Sequence, residues 1–271
     1  MRGSKRAAYP YVVWMAIFII VPLLLVLIFA FTSQDGSFTL QNFADMVSDF
    51  DIFYRSLALA LVSTAICLLI GYPLSYFLAQ LNSKVQATML MLIILPMWMN
   101  FLLRTYAWKT LLEDTGLINH FLSLFGVGPL GMINTRGAVI LGMVYNYIPF
   151  MILPIYTVLT KMSKVLIEAA QDLGATPAVV FLKVILPLSF PGIVSGVTMV
   201  FVPAVSTFVI SKLLGGGTYI MLGDLIDMQF LGNSYNPNLG AAISLVMMVM
   251  IIISMSIMSR YDDEEGGSMI L

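Results

Sequence analysis

The side chains of this 271-residue chain that could do chemistry are few, and their types favour binding over bond-making. Cys67 is the only cysteine and lies in an apolar run, so neither a disulfide framework nor a thiolate metal site can be built. His120 is the only histidine, and its setting in a loop argues against a metal site. No G-x-x-x-x-G-K-[ST] phosphate loop occurs. What remains is a set of acids near aromatics. Asp224 and Asp227 lie three apart and share a face if 221–230 is helical. Glu113 and Asp114 form a second acidic pair. Trp98, Tyr106, Trp108, Tyr145, Tyr147 and Tyr219 offer aromatic faces, which attract ammonium groups. Together these could hold a cation. The plainer alternatives stay open: a solvated or docking surface for the aspartates, and an interfacial belt for Trp and Tyr.

A second set points to docking. Residues 168–192 read EAAQDLGATPAVVFLKVILPLSFPG, a polar stretch between apolar runs. Ser163 is suited to N-cap a helix through Glu168, Ala169, Ala170 and Leu173. Gly174 suits its left-handed end, and Thr176-Pro177 reads as N-cap and first residue of a second helix over 178–185. Pro187 and Pro191 are expected to break the path beyond it. Ala169 and Ala170 leave room for a partner surface to approach, and Glu168 and Asp172 share one helical face.

The elements that position these groups are membrane helices. The chain is 60% hydrophobic and 10% charged, with mean hydropathy +0.97. A soluble domain carries about 25% charge, so a soluble globule is excluded. The net charge of −1 and the lack of a basic patch give nucleic acid no purchase. About 20 apolar residues cross a bilayer, and the uncharged runs predict six spans near 10–31, 57–80, 87–108, 138–160, 191–213 and 240–259. The first is too long for a signal peptide and no small-x-small site follows, so it is expected to be retained. Residues 1–9 precede the spans and an acidic segment, 261–271, follows them. Residues 115–135, broken by Gly, Asn and Pro, read as an external loop with a short interfacial helix. With both termini inside, Arg2, Lys5, Arg6, Lys84, Lys161, Lys164, Lys183 and Arg260 are internal, against Arg55, Arg104, Lys109, Arg136 and Lys212 outside. That bias predicts cytoplasmic termini and a cytoplasmic 161–190 loop.

Proline falls within five spans, at Pro22, Pro73, Pro96, Pro149 with Pro154, and Pro203. Pro96 and Pro203 are candidates for pore-lining breaks, with simple packing kinks equally open. Asn100 is expected to face protein or a path rather than lipid. Arg104 should snorkel or pair with an acid such as Glu113 or Asp114. Gly215-Gly216-Gly217 reads as a turn, and Asn236-Pro237 as the start of the sixth span.

The spacing E-A-A-x3-G-x11-L-P, carried by Glu168, Ala169, Ala170, Gly174, Leu186 and Pro187, resembles the coupling loop of permease subunits of binding-protein-dependent ATP-binding-cassette (ABC) importers of the type I fold. Within them the chain looks most like the spermidine/putrescine subgroup. Gly71-Tyr72-Pro73, Leu95-Pro96-Met97-Trp98 with Asn100, Arg104-Thr105-Tyr106, Pro149-Phe150-Met151, Glu168 to Ala175, Val202-Pro203-Ala204, Gly215-Gly216 and Gln229-Phe230-Leu231 carry that likeness, over nearly all of 10–260. The chain departs from it at Val184, at Asp224 and Asp227, and in its acidic tail. The resemblance implies an all-α permease in the bacterial cytoplasmic (inner) membrane, not itself an enzyme. ATP and magnesium would sit on a separate ATPase dimer, a second permease would complete a heterodimeric pore, and an extracytoplasmic binding protein would deliver polyamine. Coupling would fall to Glu168, Ala169, Ala170, Asp172, Gly174, Ala175, Leu186 and Pro187. The path or gate would draw on Trp98, Asn100, Tyr106, Glu113, Tyr145, Tyr147, Pro203, Tyr219, Asp224 and Asp227. An importer of an amino acid, sulfate or iron is the alternative within the class. A stand-alone carrier or channel is the alternative outside it, though a carrier should show inverted repeats or a buried charge relay.

Overall fold

The computed structural model describes residues 9–232 and 234–268, with side chains over 10–232 and 234–258. The basic residues Arg2, Lys5 and Arg6, and the acidic side chains of 262–265, lie outside the described residues. The described chain is helical, with no strand beyond one isolated bridge between Thr32 and Phe38. In chain order the helices are α1 (Pro10–Ala30), α2 (Gln41–Met46), α3 (Phe50–Gln80), α4 (Ser83–Ile94), α5 (Phe101–Leu112), α6 (Leu117–Ser123) and α7 (Arg136–Lys161). They continue as α8 (Lys164–Asp172), α9 (Pro177–Ser206), α10 (Val209–Leu214), α11 (Leu222–Leu231) and α12 (Pro237–Ser268). Five of the described helices are long and apolar enough to cross a membrane, and the α4–α5 pair makes six if counted as one broken span.

Two of the expected spans take a different form. The third, expected at 87–108, is a pair of helices bent by 91°. Pro96 sits in a single 3₁₀ turn, Leu95–Trp98, and Met99 and Asn100 are non-helical. The Asn100 Oδ1 then accepts from the N–H groups of Leu102 (2.8 Å) and Leu103 (3.4 Å), which starts α5 in a new direction. The fifth span, expected at 191–213, starts earlier and ends at Ser206. Pro187 and Pro191 do not break it. A π turn, Phe181–Ile185, lies one turn before Pro187 and widens the helix where the proline ring would otherwise meet the carbonyl of Lys183. At the far end Thr207 is extended, which ends α9 and releases α10 as a separate helix.

The centre of the fold is the packing of α3, α7 and α9. Side chains along α3 meet α7 in parallel order: the Ser63 hydroxyl approaches Met143 Sδ at 3.2 Å, and the Ser75 hydroxyl donates to the Ile152 carbonyl at 3.1 Å. The third helix, α9, runs antiparallel to α7, with Gly192 beside Ile155 and Gly196 beside Met151. A β-carbon on Gly192 would lie 3.1 Å from the Ile155 Cα, and one on Gly196 would lie 3.1 Å from the Met151 carbonyl. Small residues at such crossings let helix backbones close in lipid, where burial alone gives no drive. Cys67, Met143, Met151, Ile155, Val200, Ala204, Ile210, Leu214, Met221 and Leu222 fill this core. In contrast, α1 buries almost nothing and is fastened at its end by amides: Asn42 Nδ2 donates to the Ala30 carbonyl at 3.0 Å, and Asn238 Nδ2 to the Phe29 carbonyl at 3.2 Å.

The short helix α11 is seated by a glycine. A β-carbon at Gly223 would stand 2.5 Å from the Ser206 carbonyl and 2.7 Å from that of Thr207. Both obstacles are backbone at the broken end of α9. Gly223→Ala should therefore destabilise the protein by about 1–3 kcal/mol, read as a lower thermal unfolding midpoint of the purified protein. Gly128→Ala, whose added methyl meets open space, should leave the midpoint where it is.

Candidate coupling loop and outer cleft

The 161–190 segment, expected as a loop, comprises α8, the Gly174 turn and the first turns of α9, at one end of the bundle. Ser163 precedes α8 in extended conformation, and Gly174 follows it with φ +82°. The Gly174 N–H donates to the Gln171 carbonyl (2.8 Å) and the Ala175 N–H to the Ala170 carbonyl (3.1 Å). This paired closure is the Schellman motif, and it requires a left-handed residue where Gly174 stands. Glu168, Ala169, Asp172 and Gly174 are exposed, while Ala170 and Ala175 are half-buried against the bundle. Leu186 is half-buried and Pro187 exposed. Sequence reasoning missed Leu173, which is 90% exposed, and the exposed Val165 and Leu166. An apolar side chain so far out of its own core is the signal, and exposure cannot be read from residue type.

The loop is bound tightly to the bundle. The Tyr72 hydroxyl shares a buried 2.8 Å hydrogen bond with the Ser189 hydroxyl, and Ser189 Oγ lies 2.9 Å from the Leu186 carbonyl. Phe181, in the π turn, meets the Tyr72 and Tyr76 rings edge-on, at 5.9 Å and 5.4 Å between centroids. The Tyr156 hydroxyl donates to Gln86 Oε1 at 3.2 Å, and Gln86 Nε2 donates to the Ala79 carbonyl at 3.2 Å. The first turns of α9, against which α8 packs, are thus tied to α3, while the Tyr156 bond joins α7 to α4.

At the other end of the bundle, α10 and α11 form a cleft of about 240 Å³ lined by Ser211, Lys212, Tyr219, Asp224, Asp227 and Met228. The two aspartates do different work there. Asp224 is buried and accepts from the Met221 N–H at 2.9 Å, capping α11. Burial pushes its carboxyl above the usual carboxylate range, opposed by hydrogen bonds from Ser211 and Met221 and by the Lys212 charge. Asp227 is the freer acid and holds the Lys212 ammonium at 3.1 Å. Ser211, Lys212 and Met228 are lining residues that sequence reasoning missed. Beside it, the Tyr219 ring lies under the Arg136 guanidinium, 5.6 Å from its centroid.

The other expected path residues are not gathered here. Asn100 is exposed and its side chain is taken up by the α5 cap. Trp98 and Tyr106 are exposed on the bent pair, and Glu113 ends α5. Tyr145 packs edge-on against Trp108 at 5.4 Å. Tyr147 is buried, its hydroxyl 3.4 Å from the carbonyl of Pro203, which lies inside α9. The expected pairing of Arg104 with Glu113 or Asp114 is absent: Arg104 is buried, with Nε and Nη1 lacking any partner among the described residues. Glu113 is more than two helical turns further along α5, beyond the reach of the side chain.

Comparison with known proteins places this architecture. Residues 71–263 match the family model described as "Binding-protein-dependent transport system inner membrane component". The spermidine/putrescine transport system permease protein PotB of Escherichia coli (strain K12) is 38% identical over 246 residues, covering 87% of this chain and 89% of that protein. PotB of Haemophilus influenzae is 38% identical over 247 residues, covering 88% and 86%. The inner membrane ABC transporter permease protein YdcU of E. coli is 30% identical over 227 residues, covering 79% and 72%. Among solved structures, a chain of a bacterial ABC transporter that imports the acidic polysaccharide alginate superposes with TM-score 0.75 at 19% identity, covering 94% of each chain. A chain of the MetNI methionine ABC transporter gives TM-score 0.56 at 18% identity, covering 79% of this chain and 94% of that one. These structures share the fold alone. With a half-exposed helix closed by Gly174, a bundle built on α3, α7 and α9, and relatives matched over most of their length, the chain belongs to the binding-protein-dependent inner membrane components, the permease subunits of ABC importers.

Proposed function

We propose that this permease imports polyamines, spermidine or putrescine, and that the 161–190 loop couples it to an ATPase. The observation that carries the substrate is the 38% identity, over 87% of this chain, to a permease named for spermidine and putrescine. What supports the coupling role is the loop itself: an exposed helix with Glu168, Asp172 and Leu173 outward, packed on the first turns of α9, which Tyr72 fixes to α3. In this reading the loop faces the cytoplasm, both termini lie on that side, and ATP with magnesium binds to a separate ATPase dimer. A second permease completes the pore, and an extracytoplasmic binding protein delivers substrate to the opposite end. ATP-driven closure of the ATPases moves α8 because the two states contact it differently. The Tyr72–Ser189 bond and the Phe181 contacts carry that movement inward. In the outer cleft Asp227 is the carboxylate available to an ammonium group, because an ion pair with so exposed a lysine is worth at most about 1 kcal/mol and opens readily.

The primary test is uptake of labelled spermidine and putrescine by proteoliposomes holding the whole complex. Uptake should need ATP and the binding protein, and Glu168→Lys should cut it about tenfold or more through charge clash at the docking surface. ATP turnover and assembly without polyamine movement would reassign the substrate to another small solute, and uptake without ATP would discard the importer reading. Tyr72→Phe should keep the assembled complex and its ATP hydrolysis but lower uptake per ATP, measured as the ratio of the two rates. The aspartates should separate. Asp227→Asn should raise the apparent KM about tenfold with the thermal midpoint unchanged. Asp224→Ala should instead destabilise the fold by about 1–3 kcal/mol, by leaving the buried Met221 N–H unmet.

A further inference from the structure

A second cleft lies at the end of the bundle remote from the 161–190 loop, and apart from Tyr219, which it shares with the Asp227 cleft, none of its residues enters the coupling or polyamine chemistry. It encloses about 340 Å³ between the first turns of α3 and α7 and the segment at Tyr219. Its mouth is cationic: Arg55 on α3 and Arg136 at the start of α7 both line it, with Tyr54 and Tyr219. Its floor is apolar, made by Ala58, Leu59 and Val62 on α3 and Ile140 on α7.

The order of these residues matters. The parallel helices α3 and α7 each place an arginine first and apolar residues after it. From Arg55 to Val62 the wall descends roughly 10 Å at 1.5 Å per residue, and Ile140 lies one turn below Arg136 on the same face. The α3 surface beside the floor, at Leu57, Leu61 and Val62, is exposed and apolar, as a lipid-facing surface must be. The charge at the mouth is not neutralised. Among the described residues Arg55 makes one ion pair, with Asp51 at 3.7 Å, and both groups are solvent-exposed, so that pair is weak. Arg136 has no carboxylate partner among the described residues and rests on the Tyr219 ring. It also stands on the first turn of a 26-residue helix, whose N-terminal end favours anions.

We infer that this cleft binds an anionic phospholipid, with the phosphodiester between Arg55 and Arg136 and an acyl chain along Ala58, Val62 and Ile140. Guanidinium groups match phosphate oxygens with paired hydrogen bonds, and basic pockets between membrane helices take lipid headgroups. An acidic protein segment would meet the two charges but would leave the descending apolar floor unfilled. A headgroup carrying its own ammonium would be repelled by two nearby cations. The geometry therefore selects a headgroup with net negative charge, such as phosphatidylglycerol, over phosphatidylcholine. This inference rests on the membrane-spanning fold and not on the choice of transported solute.

The test uses the whole purified complex in nanodiscs of phosphatidylcholine with increasing phosphatidylglycerol, reading retained lipid by native mass spectrometry and the thermal midpoint in parallel. Phosphatidylglycerol should be retained and raise the midpoint. Arg55→Gln with Arg136→Gln should require about tenfold more of it for the same occupancy. Ala58→Phe, which fills the floor and leaves both arginines, should also reduce retention, and it guards against a fold defect specific to the charge variant. Unchanged retention in both variants, or equal retention of the two lipids by the native complex, would overturn the proposal. Stabilisation by soluble glycerol phosphate equal to that by the lipid would make this a free phosphate site. Loss of binding-protein docking in the arginine variant with retention intact would make it a protein contact instead.

Discussion

The close approach of α7 to its two neighbours is the constraint on which the remaining geometry depends. In a bilayer the hydrophobic effect does not press helices together, so contact must come from dispersion between surfaces that fit. Gly71 against Met151, Gly196 against the Met151 backbone and Gly192 against Ile155 provide that fit along one side of α7. Because α3 and α9 are fixed to the same helix, their ends are fixed to each other. One pair of ends then carries the 161–190 loop through Tyr72 and Ser189, and the opposite ends hold Ser56 under the Leu222 N–H and so seat α11. A single packing surface thus sets the position of both the 161–190 loop and α11.

Polar groups in such a bundle are divided between holding the fold and remaining available. Asn100, Asp224, Asn42, Asn119 and Asn238 all satisfy backbone groups that a helix end or a turn would otherwise leave unpaired in an apolar setting. Asp227, Lys212, Arg55 and Arg136 are bound only by partly exposed or aromatic contacts. That division explains why two aspartates three residues apart on one cleft have different roles: the carboxylate of one is taken up by the turn that starts its helix, and the other meets only an exposed lysine. It also sets Arg104 apart. Its Nε and Nη1 are buried without a partner among the described residues, and no cap, ion pair or cleft among them accounts for that.

Proline and glycine had local meanings that the tertiary structure altered. Pro187 and Pro191 are helix breakers by type, yet α9 runs through both, and the π turn before Pro187 widens the helix where that ring would clash. Pro96 behaved as its type suggests, and with Asn100 as the following cap it turned an expected straight span into two helices bent by 91°. The residues just beyond each proline make the difference. An amide side chain that can restart a helix stands after Pro96, and none stands after Pro187.

The sequence by itself determined the membrane character, the positions of most of the long apolar helices and the turn at Gly174, because these follow from local physics. Hydropathy over about 20 residues reports a crossing, and only glycine takes φ +82° at no cost where α8 closes. Gly174, Thr176-Pro177, the Gly215–Gly217 turn and the start at Pro237 were legible for that reason. Only the tertiary structure decided which polar residues share a site. Lys212 reaches Asp227 across fifteen residues of chain, and Arg136 reaches Tyr219 over a longer separation. Arg55 and Arg136 line one cleft because α3 and α7 run parallel. Such pairings depend on how helices cross, and crossing is set by the summed shape of two surfaces, which no single stretch of sequence contains.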